Sequence, residues 1–178
     1  MLVFALSLVL GAQTPHDAGR LVRVIARAIG YDQTLKQHAK DKVVIAILMS
    51  ARNPDSMSYG EALFVALTEL AGVRVQGIAI SPDTIRFEDL AKLDAALVEQ
   101  GVTALFIAPG LEKELHAIVA LTRKHQIFSL SVGGAPDITL GVTELDDKIK
   151  LSVNPQAAKL EGVVFAEALL SSATIVGQ

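Results

Sequence analysis

Two adjacent glycines, Gly133 and Gly134, directly follow the apolar run QIFSLSV within the stretch SLSVGGAPDITLG. A phosphate-cradling loop would need G-x-x-x-x-G-K-[ST] opening a helix, so that free N–H groups and the helix dipole face the anion. Here Ala135, Pro136 and Asp137 follow, then a strand pattern, with neither the lysine nor the helix. G-x-G-x-x-G is absent as well. The glycine pair reads as a turn from a strand into a hairpin. A ligand-facing loop is the alternative, because the pair lies beyond the C-terminal end of a parallel strand, where open α/β sheets bind ligands.

The other chemistry-bearing residues form no constellation. Of His16, His38, His116 and His125, only the last two share an element, and their nine-residue spacing puts them about 180° apart on a helix. Neither H-x-x-x-H nor H-E-x-x-H occurs, so no metal site is expected. Serine lacks a G-x-S-x-G setting, and Ser58 with Glu61 reads as a helix capping box. The carboxylate pairs Glu88-Asp89 and Glu112/Glu114 read as first-turn acids of helices, and Asp146-Asp147 as a turn. No cofactor and no enzymatic activity are expected.

The elements that would position these residues alternate. A helix from His16 to Gly30 carries Leu21, Val22, Ile25 and Ile29 on one stripe. KVVIAILM (42–49) reads as a strand buried on both faces. SARNPDSMS reads as a loop, YGEALFVALTELAG as a helix, and VRVQGIAI (73–80) as the second strand. A helix over RFEDLAKLDAALVEQG ends at Gly101, and VTALFIAPG is a strand stopped by Pro109-Gly110. LEKELHAIVALTRKH is the fourth helix and QIFSLSV the fourth strand. ITLGVTELDDKIKLSV then reads as a hairpin. Asn154-Pro155 caps a closing helix through residue 176, weakened at Gly162 and Val163-Val164. The pattern predicts a three-layer α/β fold: a mostly parallel sheet with helices on both faces, a C-terminal β-hairpin and a final helix. A receiver-type phosphorylation domain is excluded, because the third strand ends in IAPG with no acceptor aspartate.

Composition narrows the function classes. With 51% hydrophobic and 20% charged residues in 178, the chain is a single globular domain. A net charge of −3 with no basic run argues against nucleic acid. Only 4% of residues are aromatic and none is Trp, which leaves no stacking platform. The absence of Cys excludes disulfides and thiolate chemistry. The uncharged run Leu2–Leu10, then Gly11 and Ala12, fits a signal-peptide h-region, although no Lys or Arg precedes it. Residues 1–12 are thus expected to direct export, and 13–178 to form the mature periplasmic domain without membrane insertion. The other reading of that run is a buried N-terminal strand.

The stretches LVRVIARAIGYDQTL, GVTALFIAPGLEKELHAI, IFSLSVGG and KLSVNPQAAKLEGVVFAEALL together resemble the YfiR-like family of bacterial periplasmic proteins. The resemblance covers roughly residues 16–176 and rests on apolar patterns around Tyr31, Phe106-Ile107, Leu130–Gly134 and the closing Asn154, Ala157, Ala158, Phe165, Leu169 and Leu170. Tyr31, Asn154, Ala158, Leu169 and Leu170 are expected to be structural. The resemblance implies a non-catalytic regulator that binds the periplasmic part of a membrane-anchored diguanylate cyclase or sensor kinase, often as a homodimer. The disulfides of better-known members cannot be carried over to a chain without cysteine. Phe165 and the ending TIVG are candidates for an interface, with packing of the last helix as the preferred reading.

The alternative function is a small-ligand-binding periplasmic protein of Rossmann-like architecture. Its cleft would lie at the strand ends near Ser50, Ser81, Pro109, Gly110, Gly133 and Gly134.

Overall fold

A computed structural model describes residue 15 and residues 17–145 and 148–177. The expected signal segment, His16 and the Asp146-Asp147 turn lie outside these residues. The chain folds as β1 (Lys42–Ser50), β2 (Arg74–Val75), β3 (Ile78–Phe87), β4 (Ala104–Ile107), β5 (Phe128–Val132), β6 (Leu140–Leu145), β7 (Lys148–Val153) and β8 (Thr174–Ile175). These form one sheet in the order β2-β3-β1-β4-β5-β6-β7-β8. Strands β3, β1, β4, β5 and β6 are mutually parallel, and β7 turns back antiparallel to β6. Mostly parallel order with helical cover is what the sequence pattern predicts.

Alternation within the strands separates two cores. Val43, Ile45, Ile47 and Met49 of β1 join Ala104 and Phe106 of β4 on one face. There they are covered by α1 (Ala18–Ile29) and α3 (Pro54–Thr68). Ala46, Leu48, Leu105 and Ile107 point to the other face, beneath α4 (Leu90–Glu99) and α5 (Leu115–His125). A strand buried on both faces needs apolar residues at every position, and VVIAILM (43–49), after the exposed Lys42, supplies them.

Four differences from the sequence reading have local causes. Helix α3 starts at Pro54, not Tyr59, because Asn53 caps it by accepting the N–H groups of Asp55 and Ser56. Ser58 therefore lies inside the helix and caps nothing. The second strand is really a hairpin, turned at Gln76 (φ 51°) and Gly77 (φ 87°), and its long arm β3 runs on to Phe87. Pro82 is tolerated there because β2 pairs only with Ile78 and Ala79, so the outer side of β3 has no ladder to break.

Glu112 and Glu114 precede α5 rather than occupying its first turn, and Glu88 and Asp89 likewise precede α4. The closing helix is broken into α6 (Pro155–Leu160) and α7 (Glu167–Leu170), followed by β8, with α2 (Leu35–His38) packed nearby. Gly162 at φ 73° ends the first piece. The freed backbone pairs with Asp32, whose carboxylate accepts the Val164 N–H, and Asp32 bridges to Phe165.

Candidate functional site

The C-terminal ends of β1, β3, β4, β5 and β6 share one edge of the sheet, here called the upper edge. β1 is followed in sequence by strands that insert on one side (β3) and then on the other (β4), so strand order reverses between β1 and β4. Such a reversal opens a crevice in doubly wound folds. Here Gly110, at φ 91°, closes that gap. A Cβ on it would meet the Asn53 amide, so the loop after β4 abuts the cap of α3. The Gly110 N–H is held by the Glu112 carboxylate at 2.8 Å.

The hollow falls one strand further along, between the ends of β4 and β5. It measures about 260 Å³ and is walled by Ile107, Pro109, Leu111 and Leu115 on one side and by Ser131, Val132 and Ala135 on the other. Leu111 is buried and Val132 is 38% exposed. Glu112 is the one ionisable residue of the lining. Ser131 pairs in register with Ile107 and is 7% exposed, and its hydroxyl has no hydrogen-bond partner among the described residues. Buried polar atoms are nearly always bonded, so this hydroxyl is an exception that calls for a cause.

Its neighbour two residues back behaves in the ordinary way. The Ser129 hydroxyl accepts the Thr139 N–H, and its amide donates to Glu161 at 2.8 Å. Glu161 is fully buried and also lies 2.6 Å from the hydroxyls of Thr139 and Thr122. Thr122 has a single hydroxyl proton and a second acceptor, the Val119 carbonyl, at 2.9 Å. A protonated Glu161 satisfies every member of this cluster: it donates to Thr122, which donates to Val119. Burial pushes the Glu161 carboxyl above the usual range, against the bonds from Thr122, Thr139 and Ser129.

The residues expected to face a ligand divide. Ser50, Pro109, Gly110, Gly133 and Gly134 all lie at the upper edge, but of these only Pro109 lines the hollow. Ser50 donates its N–H to the buried Ser56 hydroxyl. Ser81 does not belong: it sits within β3 opposite Val44, towards the lower edge, because β3 is longer than the strand read from sequence. Gly133 faces open space, and its N–H closes a bond to the Val142 carbonyl. Gly134 packs against Gly141 and Ser152. The glycine pair is therefore a turn, as the residues suggested, and its second member is a close-packing point.

Tyr31, Asn154, Ala158, Leu169 and Leu170 have scaffold positions. Asn154 caps α6 and its side-chain amide donates to the Pro136 carbonyl. Ala158 and Leu169 are buried, and Leu170 packs on the same core with Tyr31. Phe165 is also buried, edge-on to Phe128 with ring centroids 5.4 Å apart, which supports packing over an exposed interface.

The sequence does not single out Ser131, Leu111 or Leu115, and Glu112 reads there only as a first-turn acid. The available signal was FSLSV itself, where two serines alternate into a buried face. Each such serine needs a partner, and only Ser129 finds one among the described residues.

A larger hollow of about 320 Å³ lies at the lower edge, lined in part by His38, Lys40, Lys42, Gln100 and His125. It is where strands begin and α4 and α5 end, and basic groups there complement the helix C-termini. His125 already bonds Asp94 at 2.5 Å, which with Lys124 holds the Asp94 carboxyl below its ordinary range. Gln100 there also has a buried side-chain oxygen without a partner among the described residues, but open α/β sheets bind ligands outside the carboxyl ends of their strands, which makes the upper hollow the better candidate. Among the described residues, no group of three or more His, Asp or Glu side chains could hold a metal ion, and no helix is long and apolar enough to cross a membrane.

Comparison with solved structures places this arrangement among known folds. The chain matches a Streptococcus pneumonia ABC domain in complex with L-Trp (TM-score 0.58, 11% identity, 85% of this chain and 58% of that one). It also matches a conserved domain protein from Vibrio cholerae O1 biovar El Tor (TM-score 0.61, 12% identity, 92% and 60%). A third match is the ligand-free, open form of a substrate binding protein with adhesive properties from Clostridium difficile (TM-score 0.55, 12% identity, 81% and 57%). The chain shares its fold with these proteins. It spans about three-fifths of the length of each. No family model and no curated protein matches the sequence.

Proposed function

We propose that this chain is an exported small-ligand-binding protein that holds its ligand at the upper edge of the sheet, between the loops after β4 and β5. The observation that carries the reading is the hollow of about 260 Å³ bounded by Pro109 and Leu111 on one side and Ser131 and Val132 on the other. It is concave, mostly apolar and sparingly polar, as small-molecule sites are. Two of the fold neighbours support the choice, since one is a complex with L-Trp and another is a substrate binding protein.

A regulator acting by protein contact rests on the YfiR-like resemblance alone. Its signature residues Asn154, Ala158 and Leu169 are occupied in capping and core packing. That is their expected role and does not decide between the readings; the ligand reading stands ahead because proteins of this fold include an L-Trp complex and a substrate binding protein.

The test is a thermal-melting screen of the full chain against amino acids, sugars, small amines and alcohols, with native mass spectrometry of each hit. A ligand at 100 times its Kd stabilises the native state by about 2.7 kcal/mol, and a Tm rise with a one-to-one adduct supports the reading. No stabilising compound across these classes overturns it.

A further inference from the structure

The chemistry of the hollow restricts what it accepts. Its lining holds seven apolar side chains, the Ser131 hydroxyl and Glu112, with no Lys, Arg or His. Glu112 directs one oxygen to the Gly110 N–H. A free carboxylate entering here would give up part of its hydration against the apolar walls, gain no cationic partner, and approach the exposed Glu112 carboxylate; partial burial of an unpaired ion is unfavourable.

A hydroxyl, amide or amine gives the Ser131 hydroxyl the partner it lacks without bringing a second negative charge beside Glu112. The size is also informative. An apolar cavity of about 150 Å³ accepts a benzene ring, so about 260 Å³ accommodates one ring and a short polar substituent.

Resting on the ligand-binding reading above, we infer that the site selects a neutral or cationic molecule, with a ring-sized apolar body and one polar group bonded to Ser131, and excludes free carboxylates. Ser131 is the specificity-determining residue and Glu112 the group that sets the charge preference.

Three probes of one shape decide the matter: benzyl alcohol, benzylamine and benzoate, titrated at millimolar concentration into the isotopically labelled full chain. Amide shifts at residues 107–115 and 131–135 are expected with benzyl alcohol and benzylamine, and binding at least about tenfold weaker with benzoate. In Ser131→Ala, benzyl alcohol should bind about fivefold more weakly. In Glu112→Gln, benzoate should gain on benzylamine; the amide oxygen can still accept the Gly110 N–H, so the loop is preserved.

Benzoate binding these same amides as tightly as the amine overturns the selectivity while leaving the ligand-binding reading intact. An unchanged affinity for benzyl alcohol in folded Ser131→Ala removes the role assigned to that hydroxyl. If none of the three probes shifts these amides, both the selectivity and the site are overturned.

Discussion

Gly134 and Gly141 meet backbone to backbone: a Cβ on Gly141 would lie 2.3 Å from the Gly134 Cα and 2.3 Å from the Ser152 hydroxyl oxygen. This contact draws the loop after β5 against β6 and β7, and so fixes the wall of the hollow that carries Ser131 and Val132. Because the obstacle is backbone, Gly141→Ala should cost about 2 kcal/mol, or roughly 4–8 °C in Tm. Gly133→Ala meets no atoms but keeps a φ of 78°, so it should cost only the left-handed strain of about 1–2 kcal/mol. Calorimetry of both variants separates crowding from strain. Equal stability of Gly141→Ala and the parent chain would contradict the packing.

The buried Glu161 cluster predicts a pH dependence of definite sign. A carboxyl raised in the folded state binds its proton more tightly there than in the unfolded chain. Its contribution is therefore complete below the ordinary carboxylate range, declines as pH rises from that range to the raised folded value, and is flat beyond. Glu161→Gln should flatten this decline, whereas Glu161→Ala should lose about 1–3 kcal/mol at low pH, and less as pH rises, by stranding the Ser129 and Thr139 donors. Urea titrations at several pH values between 4 and 8, read as differences from the parent chain, check both statements.

Two Asn-Pro pairs do the same work at different strength. Asn53 accepts from Asp55 and Ser56, while Asn154 accepts from Gln156 and Ala157 and also donates to Pro136. Asn53→Ala should cost about 1 kcal/mol, as N-cap losses do. Asn154→Ala should cost visibly more, since it also frees the Pro136 carbonyl and the loop below the hollow. Denaturant midpoints of the two variants give the comparison.

Tyr59 is buried against Phe106, with the rings stacked 6.4 Å apart, and burial, aided by Glu144, moves its ionisation to higher pH. In a Tyr31→Phe background Tyr59 is the remaining tyrosine. Its phenolate absorbance should stay silent through the usual tyrosine range near pH 10 for as long as the chain remains folded. Titration at the ordinary tyrosine value while the far-ultraviolet dichroism is still native would show that Tyr59 is exposed.

The same Asn-Pro signal shows what was legible in the sequence. At Asn154-Pro155 it stands after a clear strand and reads as a cap; at Asn53-Pro54 it stands among polar residues and reads as loop. Strand identity and parallel order followed from apolar runs such as KVVIAILM, because burial on both faces leaves an unbroken signal. The length of β3 did not follow, since Ser81 and Pro82 look like a terminus until the free outer side of the strand is known. The site was half legible. Strand-end loops were expected, but Ser131 becomes notable only when tertiary packing buries it and supplies a partner to Ser129 alone.

The measurement that bears most directly on the ligand-binding account is amide hydrogen exchange of the full chain, with and without the most stabilising compound of the melting screen. A ligand held in the upper hollow should slow exchange chiefly at residues 107–115 and 131–135. Protection confined to the lower edge, at residues 38–44 and 97–102, would contradict it.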